Sequence, residues 1–119
     1  MTVDPIITGK YYYLALGDSY TIGESVPAAD NFPNQVVNSM LNNAIPFYPA
    51  RIIAKTGWTT DELEGGIAAA NTAEPLLSSY DFVSLLIGVN NQYRGRAIAD
   101  YKSQFEELLK KAIVYAGNR

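Results

Sequence analysis

Ser19 follows a short apolar and aromatic run, Tyr11–Leu16, that closes with Gly17 and Asp18. A hydroxyl just past a buried strand stands at the top of a sheet, where the loop amides beside it can face an anionic oxygen. Gly57 comes after a second apolar run, Arg51–Lys55, and offers a backbone N–H with no side chain in the way. Asn90 comes after a third, Phe82–Ile87, and its side-chain amide can donate to the same oxygen. A serine oxygen with two or three N–H donors around it is the equipment for attack on an ester carbonyl. Each residue has a plain structural reading as well. Ser19 alone serves equally to satisfy loop or cap hydrogen bonds, Gly57 to supply a turn with positive φ, and Asn90 to form an Asx turn that Asn91 makes easy. Their convergence, not any one of them, carries the chemical reading.

Convergence depends on the elements that hold them. The three apolar runs predict strands over 11–16, 51–55 and 82–87. The third is continuous and apolar, which reads as a central strand covered on both faces, whereas the second reads as lying near an edge. Asp18–Asn31 reads as a long functional loop, broken by Gly23 and Pro27. Phe32, Val36, Val37, Met40 and Leu41 fall on helical spacing, with Asn31 as cap and Pro33 in the first turn, predicting a helix over 32–42. Thr59 and Glu62 have capping-box spacing, and Leu63, Ile67 and Ala70 give the apolar face of a helix over 60–70. Gly65 and Gly66 weaken that helix and permit close packing on a neighbour. The helix predicted over 97–116 carries the stripe Ile98, Tyr101, Phe105, Leu108, Leu109, Ala112, Ile113 and Ala116, with Gly117 placed to end it. The β-α-β-α-β-α order predicts an α/β fold with a parallel sheet, right-handed crossovers and helices on both faces. In such sheets functional residues gather at the carboxyl ends of the strands, where Ser19, Gly57 and Asn90 stand.

Composition narrows the chemistry. The 119 residues allow one domain, with 48% hydrophobic and 18% charged residues, an ordinary globular balance. There is no cysteine and no histidine, so disulfides, thiol nucleophiles and the commonest general base are excluded within the chain, as is the commonest zinc ligand. A net charge of -3 with scattered Lys and Arg gives no footprint for nucleic acid or an anionic membrane. No apolar run is long enough to span a bilayer, and Met1–Lys10 lacks the features of a signal peptide. The expectation is a cytoplasmic chain, or a secreted one from which a leader has been removed.

Leu16-Gly17-Asp18-Ser19-Tyr20 resembles the first block of the SGNH, or GDSL, hydrolases. Lys55-Thr56-Gly57-Trp58-Thr59-Thr60 resembles their second block, and Gly88-Val89-Asn90-Asn91 their third, usually Gly-x-Asn-Asp. The resemblance implies a three-layer α/β/α sandwich, flavodoxin-like, with sheet order 2-1-3-4-5. It implies that Ser19 is the nucleophile, and that the Ser19 and Gly57 amides and the Asn90 side chain form the oxyanion hole. It also implies hydrolysis of a small ester or acyl substrate with no metal and no cofactor. Two departures stand out. Asn91 replaces the usual Asp, a mild change. The family's fourth block, Asp-x-x-His, is absent, and residues 1–119 resemble a single incomplete domain, truncated after its third β-α unit. Phe82–Ile87 would then be an unpaired apolar edge, covered by another copy of the chain or by further polypeptide.

Other readings remain at this stage. Asp18 is a candidate phosphoryl acceptor, which would need a second acid to hold Mg²⁺. Without a base, the chain also reads as an inert fragment or as a module that binds an acyl or carbohydrate ligand, with Tyr20, Phe32, Trp58 and Tyr93 as candidate pocket walls.

Overall fold

The fold, a computed structural model, describes residues 9–118. Most of the N-terminal stretch read for a leader therefore lies outside the described residues. Strands β1 (Tyr13–Gly17), β2 (Arg51–Ala54) and β3 (Phe82–Leu86) form a parallel sheet in the order β2-β1-β3. The helices are α1 (Ser19–Ile22), α2 (Phe32–Asn42), α3 (Thr60–Ala73), α4 (Val89–Tyr93) and α5 (Ile98–Tyr115), with a 3₁₀ turn at Ala28–Asp30. No helix among the described residues is long and apolar enough to cross a membrane.

β1 is buried along its whole length because both of its edges and both of its faces are covered. Alternation along the strand sends Leu14 and Leu16 to one face, where they meet Ile53, Leu63, Ile67, Leu108 and Ala112 beneath α3 and α5. It sends Tyr13 and Ala15 to the other, against Val37 of α2. The result is the expected helix–sheet–helix layering. The Tyr13 hydroxyl pairs with Ser84 Oγ at 2.8 Å, and burial pushes its pKa up, so it stays protonated at neutral pH.

The helix signals act as read. The Asn31 carboxamide oxygen accepts from Asn34 N at 3.0 Å, with Pro33 buried in the first turn of α2. The capping box of Thr59 and Glu62 opens α3, and Glu62 accepts from Thr59 N at 3.0 Å. α3 runs on to Ala73 through both glycines, and Gly66 passes directly under the Trp58 ring, in space a Cβ would occupy.

Three expectations are corrected. Asp18–Asn31 is not one loop, since α1 and the 3₁₀ turn interrupt it. β3 is not covered on both faces. Among the described residues it pairs only with β1, and Phe82 and Leu86, on the α2 face, are 45% and 48% exposed. α2 contributes its buried Val37 to the Tyr13–Ala15 side of β1 and does not extend cover to the ends of β3. The stripe of α5 is only half used: Leu108 and Ala112 are buried, whereas Ile98, Leu109 and Ile113 are exposed, since the sheet ends at β3.

Candidate active site

The register sets Ala54, Gly17 and Leu86 level with one another. Ser19, Gly57 and Asn90 all follow within a few residues, at the same end of the sheet. With neighbouring strands about 4.8 Å apart, the loops leaving β2 and β3 flank the one leaving β1.

At the end of β1 the chain turns sharply into α1. A Cβ on Gly17 would overlap the Thr21 side chain and sit 2.8 Å from the Leu86 carbonyl oxygen. Asp18, 1% exposed, caps α1: Oδ1 accepts from Tyr20 N at 3.0 Å, and its carbonyl accepts from Thr21 N and Ile22 N. The capping duty that Ser19 was a candidate for therefore falls to Asp18, which is committed as a helix cap rather than displayed as a phosphoryl acceptor. Ser19 is half-buried, and its hydroxyl makes no hydrogen bond within the described residues. Its backbone N–H, at the first position of α1, is likewise unbonded there.

At the end of β2, Lys55–Trp58 forms a turn closed by Trp58 N donating to Lys55 O at 3.3 Å. Gly57 occupies the third position with φ +86°, as the turn reading expected, and its N–H has no partner among the described residues. At the end of β3, Gly88 takes φ +129° beneath the Tyr101 ring and starts α4. Asn90 makes no Asx turn. Its Nδ2 donates to the Trp58 carbonyl at 3.0 Å. Because β2 and β3 lie on opposite sides of β1, this bond bridges the strand end from which Ser19 emerges. One of the two Nδ2 hydrogens is used, leaving the other to donate elsewhere.

Asn91 is buried and ties α4 to α3. Its Oδ1 accepts from Thr60 N at 3.0 Å, and its Nδ2 donates to Thr60 Oγ1 at 2.9 Å. The Thr60 hydroxyl, on a residue 0% exposed, then donates to Gln104 Oε1 at 2.5 Å. The hydroxyl has one proton and must find one acceptor. Asn91→Asp alone is expected to be tolerated, because the Gln104 amide can rotate to donate. Gln104→Glu alone is expected to be tolerated too. The double variant sets two carboxylates around one proton, and denaturant unfolding should show it destabilised by about 1–3 kcal/mol beyond the sum of the singles.

Arg94 and Arg96 reach back to the same turn. Arg94 Nη2 donates to Gly57 O at 2.6 Å and Nη1 to Glu62 at 3.1 Å, while Arg96 pairs with Asp61 at 3.3 Å. The Asp61 carboxyl is held below the ordinary range chiefly by the Thr59 hydroxyl, with Arg96 adding to it. Glu62 is lowered chiefly by the Thr59 backbone N–H, with Arg94 adding. Both acids thus stay ionised facing their arginines. No sequence signal marked Arg94, since its partners lie 32 and 37 residues away.

Of the aromatic candidates for pocket walls, Tyr20 and Tyr93 are 65% and 89% exposed, and Trp58 packs on the core over Gly66. A cavity of about 570 Å³ borders α4, lined by Ile87, Gly88, Val89, Gln92, Arg96 and Tyr101. A groove of about 480 Å³ between α3 and α5 lies away from the strand ends, with Ile67, Lys111 and Tyr115 on its walls.

Among solved structures, the chain is similar to AlinE4, described as an SGNH-hydrolase family esterase, with 23% identity and a TM-score of 0.68 over 88% of this chain and 56% of that one. It is similar to TesA at 17% identity and a TM-score of 0.73, over 88% of this chain and 56% of that one. At these identities the likeness speaks to the fold, an α/β sandwich of the same kind, and the chain spans little more than half the length of the structures it matches. No curated protein matches it. The model of the GDSL-like Lipase/Acylhydrolase family matches residues 15–118, from the middle of β1 to the end of the described residues. With the three blocks at three adjacent strand ends and a match over most of its length, the chain belongs to the GDSL-like lipase/acylhydrolase family.

Proposed function

We propose that this chain is the part of a serine ester hydrolase that carries its nucleophile and oxyanion hole, and that the base is supplied by polypeptide outside these 119 residues. The observation behind the reading is the Ser19 hydroxyl, without a hydrogen bond among the described residues, on the strand end between the two loops that the Asn90–Trp58 bond joins. Ser19 Oγ attacks the carbonyl carbon of a small ester or acyl substrate, and its proton passes to the base. The oxyanion takes hydrogen bonds from Ser19 N–H, Gly57 N–H and the Asn90 amide. The tetrahedral intermediate collapses, the leaving alcohol takes the proton, and water later hydrolyses the acyl-enzyme.

The chain holds no histidine, and a positioned base contributes about 10²–10⁴-fold. The isolated chain is therefore expected to hydrolyse p-nitrophenyl acetate weakly or not at all, and the protein extended through its base to do so readily. Spectrophotometric turnover of both preparations checks this. Rapid turnover by the 119-residue chain would mean that it contains its own base.

The exposed edge of β3, with Phe82 and Leu86, fits cover by that same further polypeptide or by a second copy of the chain. Light scattering at low concentration is expected to show the isolated chain self-associated. A well-behaved 13.0 kDa monomer would count against a covered edge.

A further inference from the structure

We infer that Arg94 is a positioning residue for the oxyanion hole, fixing the Gly57 turn so that the Gly57 N–H is held in place before substrate arrives. The inference rests on the ester-hydrolase reading above. The turn needs an external hold. Its own closing bond, Trp58 N to Lys55 O, is long at 3.3 Å. Its third residue is a glycine, the type with the greatest backbone freedom. A donor for an oxyanion gains most of its value from being aimed in advance, so a loose turn would forfeit it.

α4 supplies the hold from one face. Asn90 and Arg94 are four residues apart, joined by Arg94 N donating to Asn90 O at 2.9 Å, so their side chains project to the same side. Asn90 takes the Trp58 carbonyl at 3.0 Å and Arg94 takes the Gly57 carbonyl at 2.6 Å. Two successive carbonyls of the turn are thereby fixed, and the peptide that carries the Gly57 N–H is restrained from its C-terminal side. The guanidinium is itself oriented, since its other nitrogen donates to Glu62 Oε1 at 3.1 Å, and the Glu62 carboxylate, in the first turn of α3, is held in turn by Thr59 N at 3.0 Å. The two bonds come from two nitrogens of one planar fork, a pre-organised geometry that the single nitrogen of a flexible lysine does not reproduce. The Arg94 side chain bonds to Gly57 and Glu62 and not to Ser19, so it acts through Gly57.

The test uses Arg94→Ala and Arg94→Lys in the complete enzyme, with Ser19→Ala alongside. For Arg94→Ala, kcat is expected to fall about tenfold with KM changed less than about twofold, a smaller loss than removing a donor outright. Arg94→Lys should fall between Ala and wild type, and added guanidinium should restore part of the lost rate to Arg94→Ala while leaving wild type unaffected. Unchanged kcat, or a fall that guanidinium does not relieve and that tracks a lowered melting temperature, would overturn the inference. Full turnover by Ser19→Ala would instead overturn the ester-hydrolase reading. In that event the inference is judged on the same complete protein by ¹⁵N NMR. Gly57 and Trp58 amide resonances that move in Arg94→Ala while those of Leu14 and Leu108 stay fixed support the clamp, and an unmoved Gly57 resonance refutes it.

Discussion

Replacing Ser19 by alanine is expected to lower ester turnover of the complete enzyme by about 10⁴-fold or more, with the fold unchanged. The size of the loss follows from the loss of the nucleophile itself. The donors at Gly57 and Asn90 would remain, but with no Oγ to form the tetrahedral intermediate they have no oxyanion to stabilise. The fold should be indifferent because Ser19 spends no side-chain bond within the described residues, while Asp18 does the capping. Steady-state kinetics alongside circular-dichroism melting checks both halves. A comparable loss of stability would return Ser19 to an ordinary structural serine.

Gly17→Ala is expected to act in the opposite way, through the scaffold. The added methyl would overlap Thr21 and press on the Leu86 carbonyl, which belongs to the ladder between β1 and β3. Thr21 is 0% exposed and cannot swing out to solvent, so either α1 lifts or the strands separate. Overpacking of this kind costs about 1–3 kcal/mol, and more when backbone must move. Since Ser19 is the first residue of α1, a lifted α1 also displaces the proposed nucleophile. Thermal unfolding should therefore show a lowered midpoint together with a loss of activity at temperatures where the variant is still folded. A variant as stable and as active as wild type would mean that α1 is not wedged against the strand end.

The features legible in the sequence were those written in local patterns. Three apolar runs marked the three strands, whereas the middle place of β1 was expected from the family resemblance and not from any local pattern. Asn31, Pro33, Thr59 and Glu62 marked helix starts because capping is a contact between residues three or fewer apart. α1 and α4 were missed for a physical reason. At 4 and 5 residues they are too short to show helical periodicity, and each is held by contacts from elsewhere in the chain: the Asn31 side chain donates to Ile22 O of α1 at 3.2 Å, and Asn90 and Asn91 pin α4 to Trp58 and to the first residue of α3. β3 misled because an apolar run states how much cover a strand needs, not whether that cover is present in these residues. At the candidate site, Ser19, Gly57 and Asn90 were singled out from their places after strands, and the register sets those strand ends level. The bonds that assemble them, Asn90 to Trp58 and Arg94 to Gly57, join residues more than thirty positions apart, and no local spacing encodes them.

The central claim is that Ser19 is the nucleophile. Its most direct measurement is covalent: the complete enzyme is treated with a fluorophosphonate ester, digested, and its peptides mapped by mass spectrometry. The predicted result is one phosphonyl adduct per chain, on Ser19, formed as ester turnover is lost and absent from Ser19→Ala. Loss of turnover with the adduct on another residue and Ser19 unmodified would contradict it.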